Sequence, residues 1–118
     1  MEEKFEQLIH DMELIIERAK SVLKESEHSL LLINIASEYN TTVTLIKSDK
    51  RKQPLPDCRA IFAYLALTKL DLRKVDISKI LHRHHSSVLA MIARYNDLFE
   101  TDPTFRDHAL SITKDTFN

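Results

Sequence analysis

The sequence predicts an all-α protein, because it lacks glycine, repeats apolar residues at helical intervals and shows no regular strand spacing. None of its 118 residues is glycine, which disfavours the tight hairpins that β-sheets need. Apolar residues recur three and four positions apart along most of the chain, as one face of a helix requires. With 43% apolar and 30% charged residues, the composition is that of one soluble globular domain with room for an extra helix.

The first predicted element is a long amphipathic helix over residues 2–24, where no helix breaker interrupts a broad apolar stripe. Its members are Phe5, Leu8, Ile9, Met12, Ile15, Ile16, Ala19, Val22 and Leu23. The polar segment 26–29 is predicted to end this helix, so we divide the chain into an N-terminal helix, 1–28, and a domain, 29–118. Two alternatives stay open for the stripe: it packs across the domain, or it pairs two copies of the chain as a homodimer.

Six further helices are predicted within 29–118, separated by polar caps, prolines and short turns. The expected ranges are 30–39, 41–48, 58–70, 72–81, 84–99 and 103–113. The helix over 30–39 is apolar on nearly every side, which predicts that it is buried. Thr41 or Thr42 is expected to cap the next helix, Asp57 the one after the basic loop, and Asp102 the last, with Pro103 at its first position.

Composition also excludes several classes of function. Without glycine the chain cannot form the phosphate-cradling loops of common nucleotide sites. No apolar run is long enough to span a bilayer, and the N-terminus lacks the pattern of a signal peptide. The single cysteine, Cys58, allows no intramolecular disulfide. We therefore expect a cytoplasmic protein that is not an enzyme and takes no nucleotide, metal or other cofactor.

The charge is unevenly distributed along the chain. The formal net charge of −1 combines a basic segment, 41–95, with two acidic flanks, 1–40 and 96–118. The basic segment holds eleven basic and four acidic residues. This asymmetry favours a polyanionic partner such as nucleic acid. On charge alone, a solvated helical surface is the alternative.

A short helix, a tight turn and a longer helix with a polar start form the pattern of a helix-turn-helix motif. The polar start here is HRHHSSV, residues 82–88. In that motif the second helix enters the DNA major groove, where its first side chains reach base edges. Short hydroxyls and histidines suit base edges, and an arginine suits phosphate. This pattern predicts double-stranded DNA as the partner.

From about residue 31 to 112 the chain resembles the C-terminal DNA-binding domain of the bacterial replication initiator DnaA. In that family a helix ending in tyrosine leads to a basic loop, Pro-Arg-Gln opens a helix of the type A-M-Y-L-A, and the signature Gly-Arg-Asp-His-Thr-Thr-Val follows. The corresponding stretches here are IASEYN, KSDKRKQPLPDCR, CRAIFAYLA and HRHHSSV. The resemblance implies an initiator-type helix-turn-helix module without the ATPase domain, acting in replication initiation or its regulation in a bacterium or phage.

The resemblance also implies DNA-binding roles for particular residues. Arg51 falls on the family's minor-groove arginine, with Lys50 and Lys52 beside it to neutralise phosphates. Arg59 falls on the arginine of Pro-Arg-Gln, a phosphate contact. The family's Arg, His, Thr and Thr of the signature correspond to Arg83, His85, Ser86 and Ser87.

The departures from the family pattern affect base reading. The signature aspartate is His84 here, which replaces an acceptor suited to cytosine by a donor suited to guanine. The glutamine of Pro-Arg-Gln is Ala60, its proline is Cys58, and the turn lacks the family's glycines. The docking mode of the family is expected, with a different preferred site.

Three competing interpretations remain open. The histidines at 82, 84 and 85 suggest a metal site or a catalytic base, although no set of carboxylates or cysteines lies close in sequence. Cys58 at the start of a helix suggests a thiol with a lowered pKa. The third is a protein-interaction module that keeps the initiator fold without reading DNA, which the acidic flanks and Asp57 favour.

Overall fold

The structure, a computed structural model, describes residues 2–118, and the side chains of residues 3–19 and 26–118. Over this part of the chain it contains six helices and no strand, which confirms the all-α class. In order they are α1 (Glu2–Glu38), α2 (Val43–Ile46), α3 (Leu55–Thr68), α4 (Lys74–Ile80), α5 (His85–Thr101) and α6 (Pro103–Phe117). None of these helices combines the length and apolarity that a membrane span requires.

The first helix, α1, continues through the segment where the sequence predicted a break. It is a single helix of 37 residues, so the predicted end at 26–29 is wrong. Serine lowers helix propensity by well under 1 kcal/mol, whereas ending a helix leaves up to four N–H and four C=O groups without partners. With no proline or glycine to enforce the break, the helix continues to Glu38.

The two ends of α1 lie in different environments. Near its C-terminal end Leu31, Leu32, Ile35 and Ala36 are buried, and Asn34 Nδ2 donates to Thr116 Oγ1 of α6 at 2.9 Å. The expectation of burial on nearly every side was wrong for Leu30 and Ile33, which are exposed. The side chains of residues 3–19 are all exposed, so packing of this segment across the domain is contradicted. Val22 and Leu23 of the predicted stripe lie outside the described side chains.

Helix α3 forms the centre of the domain. Its four predicted inward residues, Ile61, Phe62, Leu65 and Ala66, are all buried. Helix α5 packs against it through Val88 and Tyr95, and the Tyr95 ring stacks on Tyr64 of α3 with centroids 3.8 Å apart. Buried side chains of α6 close the core from the other side: Phe105, Ala109 and Ile112.

The helix starts agree with the sequence prediction at two of three places. Thr42 caps α2, and Asp102 caps α6 by accepting from the N–H groups of Thr104 and Phe105. The prediction that Asp57 caps α3 was wrong, because α3 already begins at Leu55 and Asp57 lies in its first turn. Its carboxylate instead forms a salt bridge with Arg94 of α5, Oδ1 to Nη2 at 2.8 Å. Helix α6 runs to Phe117, four residues past the expected end.

Left-handed backbone follows three of the helices although the chain has no glycine. These positions are Asn40, Asp71 and His82, with φ of 53°, 55° and 54°. Asparagine, aspartate and histidine are the residues other than glycine that adopt this conformation most readily. After α1 the Thr41 N–H donates to the Ala36 carbonyl and the Asn40 N–H to Ser37, the Schellman pattern. The chain therefore ends its helices with polar residues at the positions where glycine is usual.

Candidate nucleic-acid interface

Helices α4 and α5 and the turn between them form a helix-turn-helix. The turn is a Schellman motif: Arg83 N–H donates to the Ser78 carbonyl at 2.9 Å, and His82 N–H to Lys79 at 3.3 Å. His82, at the family's glycine position, supplies the left-handed residue. On either side of the turn, Ile77, Leu81 and Val88 are fully buried. This anchoring holds the start of α5 at the surface in a fixed orientation.

His84 is the N-cap of α5, one residue before the helix begins. Its Nδ1 accepts the backbone N–H of Ser86 at 3.3 Å and lies 2.9 Å from the Ser86 hydroxyl oxygen. Because Nδ1 accepts, the proton of the neutral ring lies on Nε2, which is left as a donor. His84, His85 and Ser86 are all exposed, and the two histidine rings lie 4.3 Å apart. Three of the four candidate base-reading residues therefore stand together on the surface, and Ser87 is partly buried behind them.

Two arginines hold the basic loop, residues 47–54, against the rest of the domain. Arg59 Nε donates to the Ile46 carbonyl at 2.8 Å, and its Nη2 donates to Ser48 at 2.9 Å and Leu45 at 3.3 Å. Arg83 Nη2 donates to the same Ser48 carbonyl. The loop is thus tied to α3 and to the helix-turn-helix turn at one oxygen atom.

Arg59 occupies a different environment from the one its expected phosphate contact requires. Its side chain is only 3% exposed, and three backbone carbonyls accept from it. Burial lowers its pKa, and the nearby guanidinium groups of Arg83 and Arg51 lower it further. The geometry makes Arg59 a residue that supports the loop, and direct contact with phosphate stays a prediction.

An open groove of about 440 Å³ lies between the basic loop and α5. It is lined by Arg51, Pro56, Arg59, Arg83, Ser87, Ala90, Met91 and Arg94. The Nε of Arg83 is buried without a hydrogen-bond partner within the described part of the chain. A buried cationic donor lacking an acceptor is costly. The groove therefore has a size and a positive charge that suit a phosphate group.

The structure brings only part of the predicted set to this groove. Arg51, Arg59, Arg83 and Ser87 line it, whereas Lys50 and Lys52 are exposed on the basic loop outside its lining. The sequence prediction missed Arg94, which lines the groove on the same face of α5 as Ser87. Arg94 lies seven residues, or two helical turns, after Ser87, and this spacing could have indicated that the two share one face of the helix.

The structure contradicts one of the competing interpretations, the reactive thiol. Cys58 is fully buried, and burial raises the pKa of its thiol to about 12, so the suggested low-pKa thiol was wrong. Among the residues that the structure describes, no three histidine, cysteine or carboxylate side chains cluster as metal ligands.

Fold and site together define an all-α helix-turn-helix domain whose second helix begins beside an arginine-lined groove. No protein-family model matches the chain. It is 32% identical over 101 residues, 85% of its length, to the chromosomal replication initiator protein DnaA of Mycoplasma genitalium, and 30% identical to that of Mycoplasma pneumoniae over the same share. The chain spans 23% of the length of either relative.

These comparisons confirm the resemblance on which the sequence interpretation drew. The chain is a DnaA-like helix-turn-helix module. The matched stretch is longer than the segment 29–118, so the similarity includes part of α1 before residue 29.

Proposed function

We propose that this protein binds double-stranded DNA in a sequence-specific manner, in replication initiation or its regulation. The observation that carries the proposal is the arginine-lined groove directly beside the exposed first turn of α5. A helix-turn-helix needs both features, since phosphate contacts fix its position and base contacts provide its specificity. The similarity to two DnaA proteins supports the same conclusion.

Phosphate binding is assigned to the groove. Arg51 and Arg83 provide positive charge along its lining, and Ser87 adds a hydroxyl near the start of α5. Salt-bridged Arg94 contributes less positive charge, because the Asp57 carboxylate neutralises it. A DNA phosphate in this groove would set the distance between α5 and the duplex.

Arg51 is assigned to the minor groove, with Lys50 and Lys52 on adjacent phosphates. All three are exposed on the basic loop, which Arg59 and Arg83 hold in place. A held loop loses little conformational entropy on binding, so an arginine on it can enter a narrow, electronegative minor groove at low cost.

Base reading is assigned to His84, His85 and Ser86 in the major groove. With Nδ1 occupied by the Ser86 N–H, His84 offers an Nε2 donor, which matches the O6 and N7 acceptors of guanine. The aspartate of the DnaA signature is an acceptor and matches cytosine N4. The preferred site is therefore expected to differ from that of DnaA at one base pair.

The direct test measures binding to labelled duplex DNA by fluorescence anisotropy across a salt series. With about five phosphate contacts, log affinity should fall against log salt with a slope of about −4 to −5. Arg51→Ala should weaken binding most on A·T-rich duplexes and reduce the slope by about one. Lys114→Ala, which removes one positive charge from the last turn of α6, is the matched control and should change neither. Affinity that is independent of salt, or equal losses from both variants, would favour the protein-interaction alternative.

A further inference from the structure

We propose that the N-terminal half of α1 pairs with the same segment of a second copy of this chain, in antiparallel orientation. The observation behind it is an apolar face that nothing in the described chain covers. Six of its apolar residues are each between 42% and 64% exposed: Phe5, Leu8, Ile9, Met12, Ile15 and Ile16. Isolated exposed apolar residues are ordinary, but a continuous stripe on one helix marks an interaction surface.

The spacing of this stripe is that of a coiled coil. Phe5, Met12 and Ala19 take heptad position a, and Leu8 and Ile15 take position d. Ile9 and Ile16 at position e widen the face. With these side chains about half exposed, each copy presents on the order of 500 Å² of apolar surface, so a pair buries at most about 1,000 Å². That area is at the lower limit for a stable interface. Pairing with a second copy is therefore enough to cover the apolar face.

Side-chain size favours the antiparallel orientation. In an antiparallel pair each a residue packs beside a d residue of the partner, so Leu8 meets the partner's Ala19 and Met12 meets the partner's Ile15. The Leu8 layer then pairs a large side chain with a small one, and the Met12 layer pairs two side chains of similar size. In a parallel pair Ala19 would face its own copy and leave a gap, and isoleucine at d disfavours parallel dimers.

Charge complementarity selects the same orientation. The g positions beside the stripe hold Lys4, Asp11 and Arg18. In the antiparallel register above, g positions flank g positions, and Asp11 lies opposite the partner's Arg18 on both sides of the two-fold axis. In a parallel pair the g residues would face e positions, where Ile9 and Ile16 offer no charge. Asp11 and Arg18 are seven residues apart on their own helix, too far for a contact within one chain.

The antiparallel arrangement separates the two DNA-binding domains, an implication that rests on the proposed function. The two-fold axis passes between Glu13 and Leu14, and the core of each domain begins at Leu31. At about 1.5 Å per residue the two domains start roughly 50 Å apart, on opposite ends of the helix pair. Common helix-turn-helix dimers place their recognition helices about 34 Å apart, one DNA turn. This dimer should therefore join two sites more than one turn apart.

The oligomeric state is tested first, by light scattering on the full chain. We expect a mass of twice 13.8 kDa for the native protein and 13.8 kDa for the Met12→Glu/Ile15→Glu variant. Leu14→Glu, the same kind of substitution at an exposed residue off the stripe, is the control and should stay dimeric. A monomeric native protein at 100 μM, or dissociation by the control as well, overturns the proposal. Circular dichroism confirms that both variants stay folded.

Orientation is tested by charge reversal and by cross-linking. Asp11→Lys and Arg18→Glu should each weaken dimerisation, by about tenfold, and the double variant should restore it. In oxidising buffer, a mixture of Met12→Cys and Ile15→Cys chains should form the mixed disulfide. A disulfide between two Met12→Cys chains alone would indicate the parallel pair and refute the antiparallel register.

The dimer and the proposed function can fail separately. The Met12→Glu/Ile15→Glu variant should bind a duplex with one site as the native protein does, because its changes lie far from the groove. On duplexes with two sites, only the native protein should gain affinity, and only when the sites lie more than one turn apart. A dimer that binds no DNA refutes the function alone, and a DNA-binding monomer refutes the dimer alone.

Discussion

Replacing Arg59 by alanine should lower the free energy of unfolding and weaken DNA binding, because the basic loop loses its support. The substitution removes the donor to the Ile46 carbonyl at 2.8 Å. Ser48 keeps Arg83 as a donor and Leu45 keeps the Ser48 hydroxyl, so the unpaired acceptor is Ile46. One orphaned buried carbonyl costs about 1–3 kcal/mol, and the lost bond to Ser48 and the cavity add to it. We expect a loss of about 3 kcal/mol in the free energy of unfolding.

Urea unfolding followed by circular dichroism measures this loss, and Arg59→Lys separates charge from geometry. Lysine keeps the positive charge but cannot donate to three divergent carbonyls. Both variants should therefore lose stability and affinity together. The salt slope of Arg59→Lys should match that of the native protein. An Arg59→Ala protein within about 0.5 kcal/mol of native stability, with a slope reduced by one, would show instead that Arg59 binds phosphate.

Four further outcomes follow from the site and the helix ends. His84→Asp should shift base preference at one position from guanine toward cytosine by about 1–3 kcal/mol in a competition assay over randomised duplexes; because aspartate also caps helices, the melting temperature should not fall. His82→Gly should raise the free energy of unfolding by about 1 kcal/mol, since glycine adopts the left-handed backbone without strain; a loss would show that the histidine ring matters more. Arg73 hydrogen-bonds to Asp76 and lowers the pKa of that carboxyl. The pair therefore stabilises α4 above the unfolded carboxyl pKa and loses this effect as pH falls through the lower folded value; Asp76→Asn should remove that part of the acid dependence. Finally, Cys58 should resist a thiol reagent at pH 8 in the native protein and react once urea unfolds it.

Local signals in the sequence predicted much of the fold. Helical spacing and the caps at Thr42 and Asp102 were read correctly because those effects act over a few residues. The break at 26–29 failed because serine is only a weak helix breaker. Asp57 was misassigned as a cap because its partner, Arg94, lies 37 residues away. Such pairings depend on how helices pack, which no local pattern records.

The candidate site was likewise predictable only where local sequence determines the structure. The exposure of His84, His85 and Ser86 follows from a polar helix start, which the sequence displays directly. The burial of Arg59 does not, because arginine is normally exposed and its acceptors belong to α2 and the loop. Arg83, the second donor to the Ser48 carbonyl, lies 35 residues from it in sequence, so no local pattern predicts this contact either.

The Ser48 carbonyl gives the proposed DNA contacts a fixed separation. Because the arginines of α3 and of the turn both hold that one oxygen, Arg51 and the start of α5 cannot move independently. In the proposed complex the domain therefore fixes the distance between a minor-groove contact and a major-groove contact on the same duplex. One base pair inserted between those two positions would rotate one of them by about a tenth of a helical turn around the duplex. Because the basic loop and α5 are held together, the domain could not then make both contacts at once.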